Sequence, residues 1–284
     1  MWILTRNLSY TVMFLKTRVL GAVAVSMLGL FAGASLASAS HIWGNSSGAY
    51  HWARTSNPFT LQLGDNVGSA WDSYLRTAST DWSVSSVLDT QVVAGKAGKN
   101  CVAQTGRGEV CAKKYGRNGW LGIAQIWISG THITKGVVKM NDTYFNSSTY
   151  NKPAWRAMVM CQEIGHIFGL DHQDENFTNT SLGTCMDYTS DPSLNQHPNA
   201  HDYDMLEEIY AHLDTTTTLA QTTSSGNGKS QNDLGDDPRR WGREIRTSSD
   251  GRASLFKLEL DGGDSVFTHV FWVEPREREV RASR

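Results

Sequence analysis

The chain lacks an excess of charge of either sign. Lys and Arg number 26 against 28 Asp and Glu, a formal net charge of -2 over 284 residues. That leaves no electrostatic footprint for nucleic acid. No internal repeat is present, so stacked-repeat architectures are excluded. Beyond residue 39 no apolar run approaches the roughly 20 residues of a membrane helix. What remains, 39% hydrophobic and 19% charged residues with ten Trp, nine Tyr and nine Phe, is the composition of a folded domain with a well-filled core.

The first 39 residues read as a targeting segment. Arg6, Lys16 and Arg18 precede an apolar run from Val19 to Leu36, which closes on Ala37-Ser38-Ala39. Small residues at those two positions are what a signal peptidase reads. Cleavage after Ala39 is expected, giving a secreted, extracellular, monomeric protein with no stable membrane association. A retained anchor is the alternative, and Met13 offers a second start. Cysteine is scarce: four residues allow three connectivities. Cys101 and Cys111 lie close together in a Gly-rich stretch, where a local staple is natural, leaving Cys161 to pair with Cys185. Asn45, Asn141, Asn146, Asn176 and Asn179 stand in N-x-S/T acceptors, which matter only in a glycosylating host.

Three regions follow the leader. Residues 40–214 carry the core pattern. Strand-like alternation at 57–66 is followed by helical spacing at 67–83 and strand composition at 84–93. A Gly- and Lys/Arg-rich stretch, 94–119, reads as loop, and two more strands are expected at 120–130 and 133–142. A helix should begin at Pro153, whose missing N–H costs nothing in a first turn, and end at Gly169. A last helix is expected over 202–213. Residues 215–238 are Thr/Ser/Gly-rich and read as a linker. Residues 239–284 hold SLFKLEL and DSVFTHVFWV around Asp261-Gly262-Gly263, a hairpin signal. A lone hairpin is marginal in water, so it should dock on the main domain, with Trp241 and Trp272 as anchors; a loosely ordered tail is the alternative. The fold expected is α+β: a twisted mixed sheet with helices packed on it, plus a small C-terminal β-hairpin.

The chemistry sits in CQEIGHIFGLDHQDE, residues 161–175. On a helix, positions 162 and 166 are i and i+4, so Gln162 and His166 can grip one ion from a single face. Glu163 falls beside that ion, and a turn at Gly169 returns His172 toward it.

EIGHIFGLDH resembles the active-site stretch of the metzincin zinc endopeptidases, with a matrixin-like flavour. The resemblance covers residues 161–188. It implies a zincin domain with one catalytic Zn²⁺, with Glu163 as catalytic base and His166 and His172 as metal ligands. In CMDY, Met186 would be the methionine of the turn beneath the metal, and Tyr188 the tyrosine that stabilises the oxyanion. The pattern departs in one place. The first ligand of the family is histidine, and Gln162 stands there. An amide oxygen is a harder and weaker donor for zinc than imidazole, but it is also neutral, so a bound cation keeps its full charge. Affinity should suffer more than chemistry. His197 and His201 are alternative third ligands. Ca²⁺ at Asp171, Asp174, Glu175 and Asp187 is weakly supported, since their spacing fits no calcium loop. No cysteine-bearing inhibitory propeptide stands between leader and domain. The expected activity is a secreted zinc metalloendopeptidase acting on protein or peptide substrates. The alternative is a non-catalytic pseudopeptidase that binds or builds.

Overall fold

Residues 41–220 and 233–274 are described by the structure, a computed structural model; the leader, the middle of the linker and the last ten residues lie outside it. A small hairpin, β1 (Gly44–Asn45) and β2 (Gly48–Ala49), precedes β3 (His51–Trp52) and β4 (Phe59–Asn66). In β4 the apolar Phe59, Leu61 and Leu63 are buried, as period-two alternation requires. The helix α1 (Asp72–Trp82) leads to β5 (Leu88–Ala94), which pairs with β4 in parallel. Parallel neighbours need a crossover, and α1 supplies it.

Residues 94–119 are not simply a loop. Gly108–Lys113 forms β6, in the middle of the sheet between β4 and β8 (His132–Asn141), parallel to both. The glycine that made this stretch look irregular is there for space. A Cβ on Gly108 would stand 2.5 Å from the Ile167 side chain at the end of the main helix. Cys101 and Cys111 are joined across this segment. Next, β7 (Trp120–Ser129) runs antiparallel to β8 through a tight turn. A four-residue helix, α2 (Asp142–Phe145), precedes α3 (Pro153–His166) and α4 (Ala200–Ile209). Pro153 opens α3 as expected. The last helix begins two residues before its expected start, where Asn199 and Asp202 form a capping box.

The C-terminal segment contributes three strands rather than two: β9 (Arg243–Thr247), β10 (Ala253–Glu259) and β11 (Ser265–Trp272). β11 pairs antiparallel with β7 along its length, so the sheet runs β5-β4-β6-β8-β7-β11-β10-β9, with β3 added beside β8. Side chains of β11 then point alternately into two cores. Phe267 and Phe271 join the large cluster around α3. Val266 and Val270 join a second cluster with Trp120, Trp127 and Trp241. Trp241 is fully buried and packs edge-on against Phe256. Trp241→Ala should cost about 3–5 kcal/mol, read as a lower urea midpoint. A loss under about 1 kcal/mol would show that Trp241 does not hold the extension in place.

Candidate metal centre

Helix α3 is almost wholly interior: from Met158 to His166 every residue is buried. Its floor is set by small residues. A Cβ on Gly122 of β7 would lie 2.8 Å from the Glu163 carboxylate, and one on Gly165 would lie 2.6 Å from the Met186 sulfur. These close approaches seat Glu163 on β7 and Met186 against the helix beside His166. The chain turns at Gly169, with φ +98° and the Tyr50 carbonyl 2.1 Å from where a Cβ would be, a position only glycine fits. The turn brings His172 back to the helix.

The rings of His166 and His172 lie 4.5 Å apart, centroid to centroid, and nearly perpendicular. The third ring against them comes from an unexpected place. His269, at the middle of β11, stands 4.1 Å from His166 and 4.7 Å from His172. Each of the three imidazoles offers one nitrogen within 4.8 Å of the others. His269 also contacts both groups expected to act on substrate. Its Nδ1 is 3.1 Å from a Glu163 carboxylate oxygen, and its Nε2 is 3.3 Å from the Tyr188 hydroxyl. Neither His197 nor His201 joins the cluster: His197 pairs with Asp81 at 2.6 Å, and His201 packs on His41.

Gln162 is fully buried. Its Nε2 donates to the Cys185 carbonyl at 2.8 Å, which identifies Oε1 as the free end of the amide. Five buried atoms of these residues have no hydrogen-bond partner among the described residues: Gln162 Oε1, Glu163 Oε1, His166 Nε2 and both ring nitrogens of His172. Buried polar atoms are rarely left so. The donors that converge are the imidazoles of His166, His172 and His269, a set that suits a divalent cation, and Gln162 Oε1 and Glu163 Oε1 are unpartnered on the same helix as His166.

The surroundings orient these donors. His166 donates from Nδ1 to the Leu170 carbonyl at 2.9 Å, which leaves Nε2 with its lone pair. His172 Nδ1 lies 3.3 Å from the Asp171 carboxylate, which Arg246 of β9 binds at 2.5 Å. Burial opposes ionisation of Asp171, yet the hydrogen bonds from His172 and Arg246 hold its carboxyl well below the usual range. Burial keeps the imidazoles neutral, pulling His166 and His269 down to about 3 and His172 well below its ordinary value. Burial also pushes the Glu163 carboxyl up to about 8, a shift that a cation in the cluster would reverse.

Cys161 and Cys185 are joined, tying α3 to the turn that carries Met186. That turn is braced further, with Gln173 N donating to the Met186 carbonyl and Tyr188 N to that of Asp174. The acidic residues nearby are largely engaged by protein donors. Glu175 meets Arg246 at 3.2 Å, and Asp187 accepts from Leu182 N and Asn195. Access is the remaining feature. Gln162, Glu163 and His166 have no exposed surface, and Tyr188 and His269 have 2% and 1%, because β11 lies over them.

No family model and no curated protein matches the chain. Among solved structures it is similar to myroilysin, at 13% identity and a TM-score of 0.32, over 63% of this chain and 97% of that one. It is also similar to high choriolytic enzyme 1, a hatching-enzyme zinc protease from the medaka Oryzias latipes. There the identity is 9% and the TM-score 0.35, over 60% of this chain and 98% of that one. Likenesses at that level assign no activity to this chain.

The disulfide across the site closes a loop of 24 residues in sequence. The double change Cys161→Ala and Cys185→Ala should cost about 3 kcal/mol on the chain-entropy estimate, measured by urea unfolding. An unchanged midpoint would mean that the hydrophobic contacts of α3 fix the turn without the bridge.

Proposed function

We propose that this protein is a secreted zinc-dependent endopeptidase of metzincin type, held closed by its own C-terminal strands. The supporting observation is the set of unpartnered donor atoms at Gln162, His166 and His172, buried beside a carboxylate and above a methionine turn. Secretion is supported by the leader pattern and by two disulfides. In this reading His166, His172 and the Oε1 of Gln162 hold the zinc, and His269 adds a further imidazole in the closed state. A bound zinc supplies Lewis acidity, polarising the scissile carbonyl and acidifying a water.

The chain's own groups do the rest. Glu163 takes a proton from the attacking water and returns it to the departing amine. Tyr188 donates its hydroxyl proton to the oxygen that gains charge. Met186 and the disulfide-tied turn hold the floor rigid. His269 lies between Glu163 and Tyr188, so a substrate peptide has to displace it. β11 and β7 are joined along this edge by a main-chain ladder, supplemented by the Gln125–Thr268 side-chain hydrogen bond at 3.1 Å, and an extended peptide reproduces the ladder by strand addition. Opening of the C-terminal strands is therefore the activating step.

Complete burial of Glu163 favours a second reading, a permanently closed, non-catalytic protein. Three variants separate the two in assays on an unfolded protein substrate, with bound zinc measured alongside. His269→Ala should keep its zinc and raise the rate at least tenfold, and Glu163→Ala should abolish the activity. If Glu163→Ala cleaves as fast as the unaltered protein, the peptidase assignment falls. Loss of zinc from His269→Ala would make His269 an obligatory ligand and end the latency reading. An inert His269→Ala that retains zinc supports the closed, non-catalytic form. Gln162→His should tighten zinc binding at least tenfold, by the scale of ligand-sphere effects; unchanged affinity would remove Gln162 from the ligand set.

A further inference from the structure

A second convergence of imidazoles lies in a separate part of the structure. His51 of β3 and His132, the first residue of β8, face each other as register partners, and His212 and Asp214 follow α4. Their distances are specific. Asp214 Oδ1 is 3.4 Å from His51 Nε2, 3.2 Å from His132 Nε2 and 3.8 Å from His212 Nε2. His212 Nε2 is 3.2 Å from His51 Nε2. A tetrahedral zinc with bonds of about 2.0–2.2 Å separates its donors by about 3.3–3.5 Å. The distances from Asp214 to His51 and His132 match that value, and these three residues are the ones whose donor atoms are mutually close.

The proton inventory points the same way. His51 Nδ1 donates to the Ala49 carbonyl at 2.8 Å, so its Nε2 presents a lone pair to the cluster. The Asp214 carboxylate also presents lone pairs there. Its other oxygen, Oδ2, is occupied by the Arg54 backbone N–H at 3.1 Å and guanidinium at 3.0 Å. Two lone-pair atoms 3.4 Å apart repel unless a proton or a metal cation sits between them. The backbone carbonyl behind His51 and the Arg54 contacts behind Asp214 are the orienting partners that bound metals characteristically require.

We infer that His51, His132 and Asp214 form a second zinc site, with His212 beside it. Two imidazoles and one carboxylate select zinc over calcium or magnesium, and His212, 3.2 Å from His51, stands beside the fourth position. The side chains of His132 and His212 are 36% and 54% exposed, which gives the ion a way in. The site joins three segments distant in sequence: β3, the turn entering β8, and the chain after α4. Beside it, Trp52 Nε1 donates to the Ile167 carbonyl at 2.8 Å, so the staple steadies the segment against which α3 ends. It does not depend on the peptidase reading.

The test is zinc stoichiometry on the folded, full-length protein. After chelation and titration with Zn²⁺, the unaltered chain should bind two ions, His132→Ala one and His166→Ala one. Titration with Co²⁺ in the His166→Ala protein should give the intense visible bands of a tetrahedral site, absent when His132→Ala is added. His132 is partly exposed, and circular dichroism checks that its variant folds. Should that variant misfold, His132→Phe, which keeps a ring but offers no donor, provides the same readout. The inference is overturned if His132→Ala and His132→Phe each bind as many zinc ions as the unaltered protein, or if His166→Ala binds none.

Discussion

Everything at the candidate metal centre depends on the pairing of β11 with β7. Without it, α3 and the turn after it would carry two imidazoles, a carboxylate and an amide at the edge of an open sheet. With it, those groups lose their contact with water, and a third imidazole arrives from a point 106 residues beyond Glu163 in sequence. The pairing is a main-chain ladder backed by two apolar clusters, one on each face of β11. It is a stable arrangement built from an interaction that an incoming peptide can copy. Stability and displaceability therefore reside in the same contact.

Closure also accounts for the electrostatics. Buried His166, His172 and His269 are all pushed toward the neutral form, and Glu163 toward the protonated one. Each shift reflects the absence of water more than the presence of a neighbour. A divalent cation in this pocket meets neutral nitrogens and an amide oxygen, none of which offsets its charge. As the proposed third ligand, Gln162 would weaken the grip on the metal while preserving its power to polarise. The disulfide behind it and the methionine turn hold the geometry that the weaker ligand does not enforce.

Much of this was legible in the sequence. The spacing of Gln162, Glu163, His166, Gly169 and His172 anticipates a helix followed by a sharp turn, and the structure forms both. Pro153 marks the helix start. The sequence proximity of Cys101 and Cys111 anticipates the first disulfide. The rest was hidden for physical reasons. Strand β6 was concealed by Gly108, a residue present because Ile167 leaves no room for a side chain. His269 was concealed because strand pairing is non-local. Yet a trace existed: in DSVFTHVFWV, Phe267, His269 and Phe271 share one face, and a histidine between two buried phenylalanines needs a partner. His51, His132, His212 and Asp214 carry no motif at all, since their proximity is created by β3 pairing with β8 and by the chain's return after α4.

Cadmium-113 substitution with nitrogen-15-labelled histidine tests the central claim most directly, because scalar couplings report which imidazoles bind one ion. The account predicts that, in the resting protein, the ion coupled to His166 is coupled also to His172 and to His269. An ion coupled to His166 and His172 while His269 stays uncoupled would contradict it.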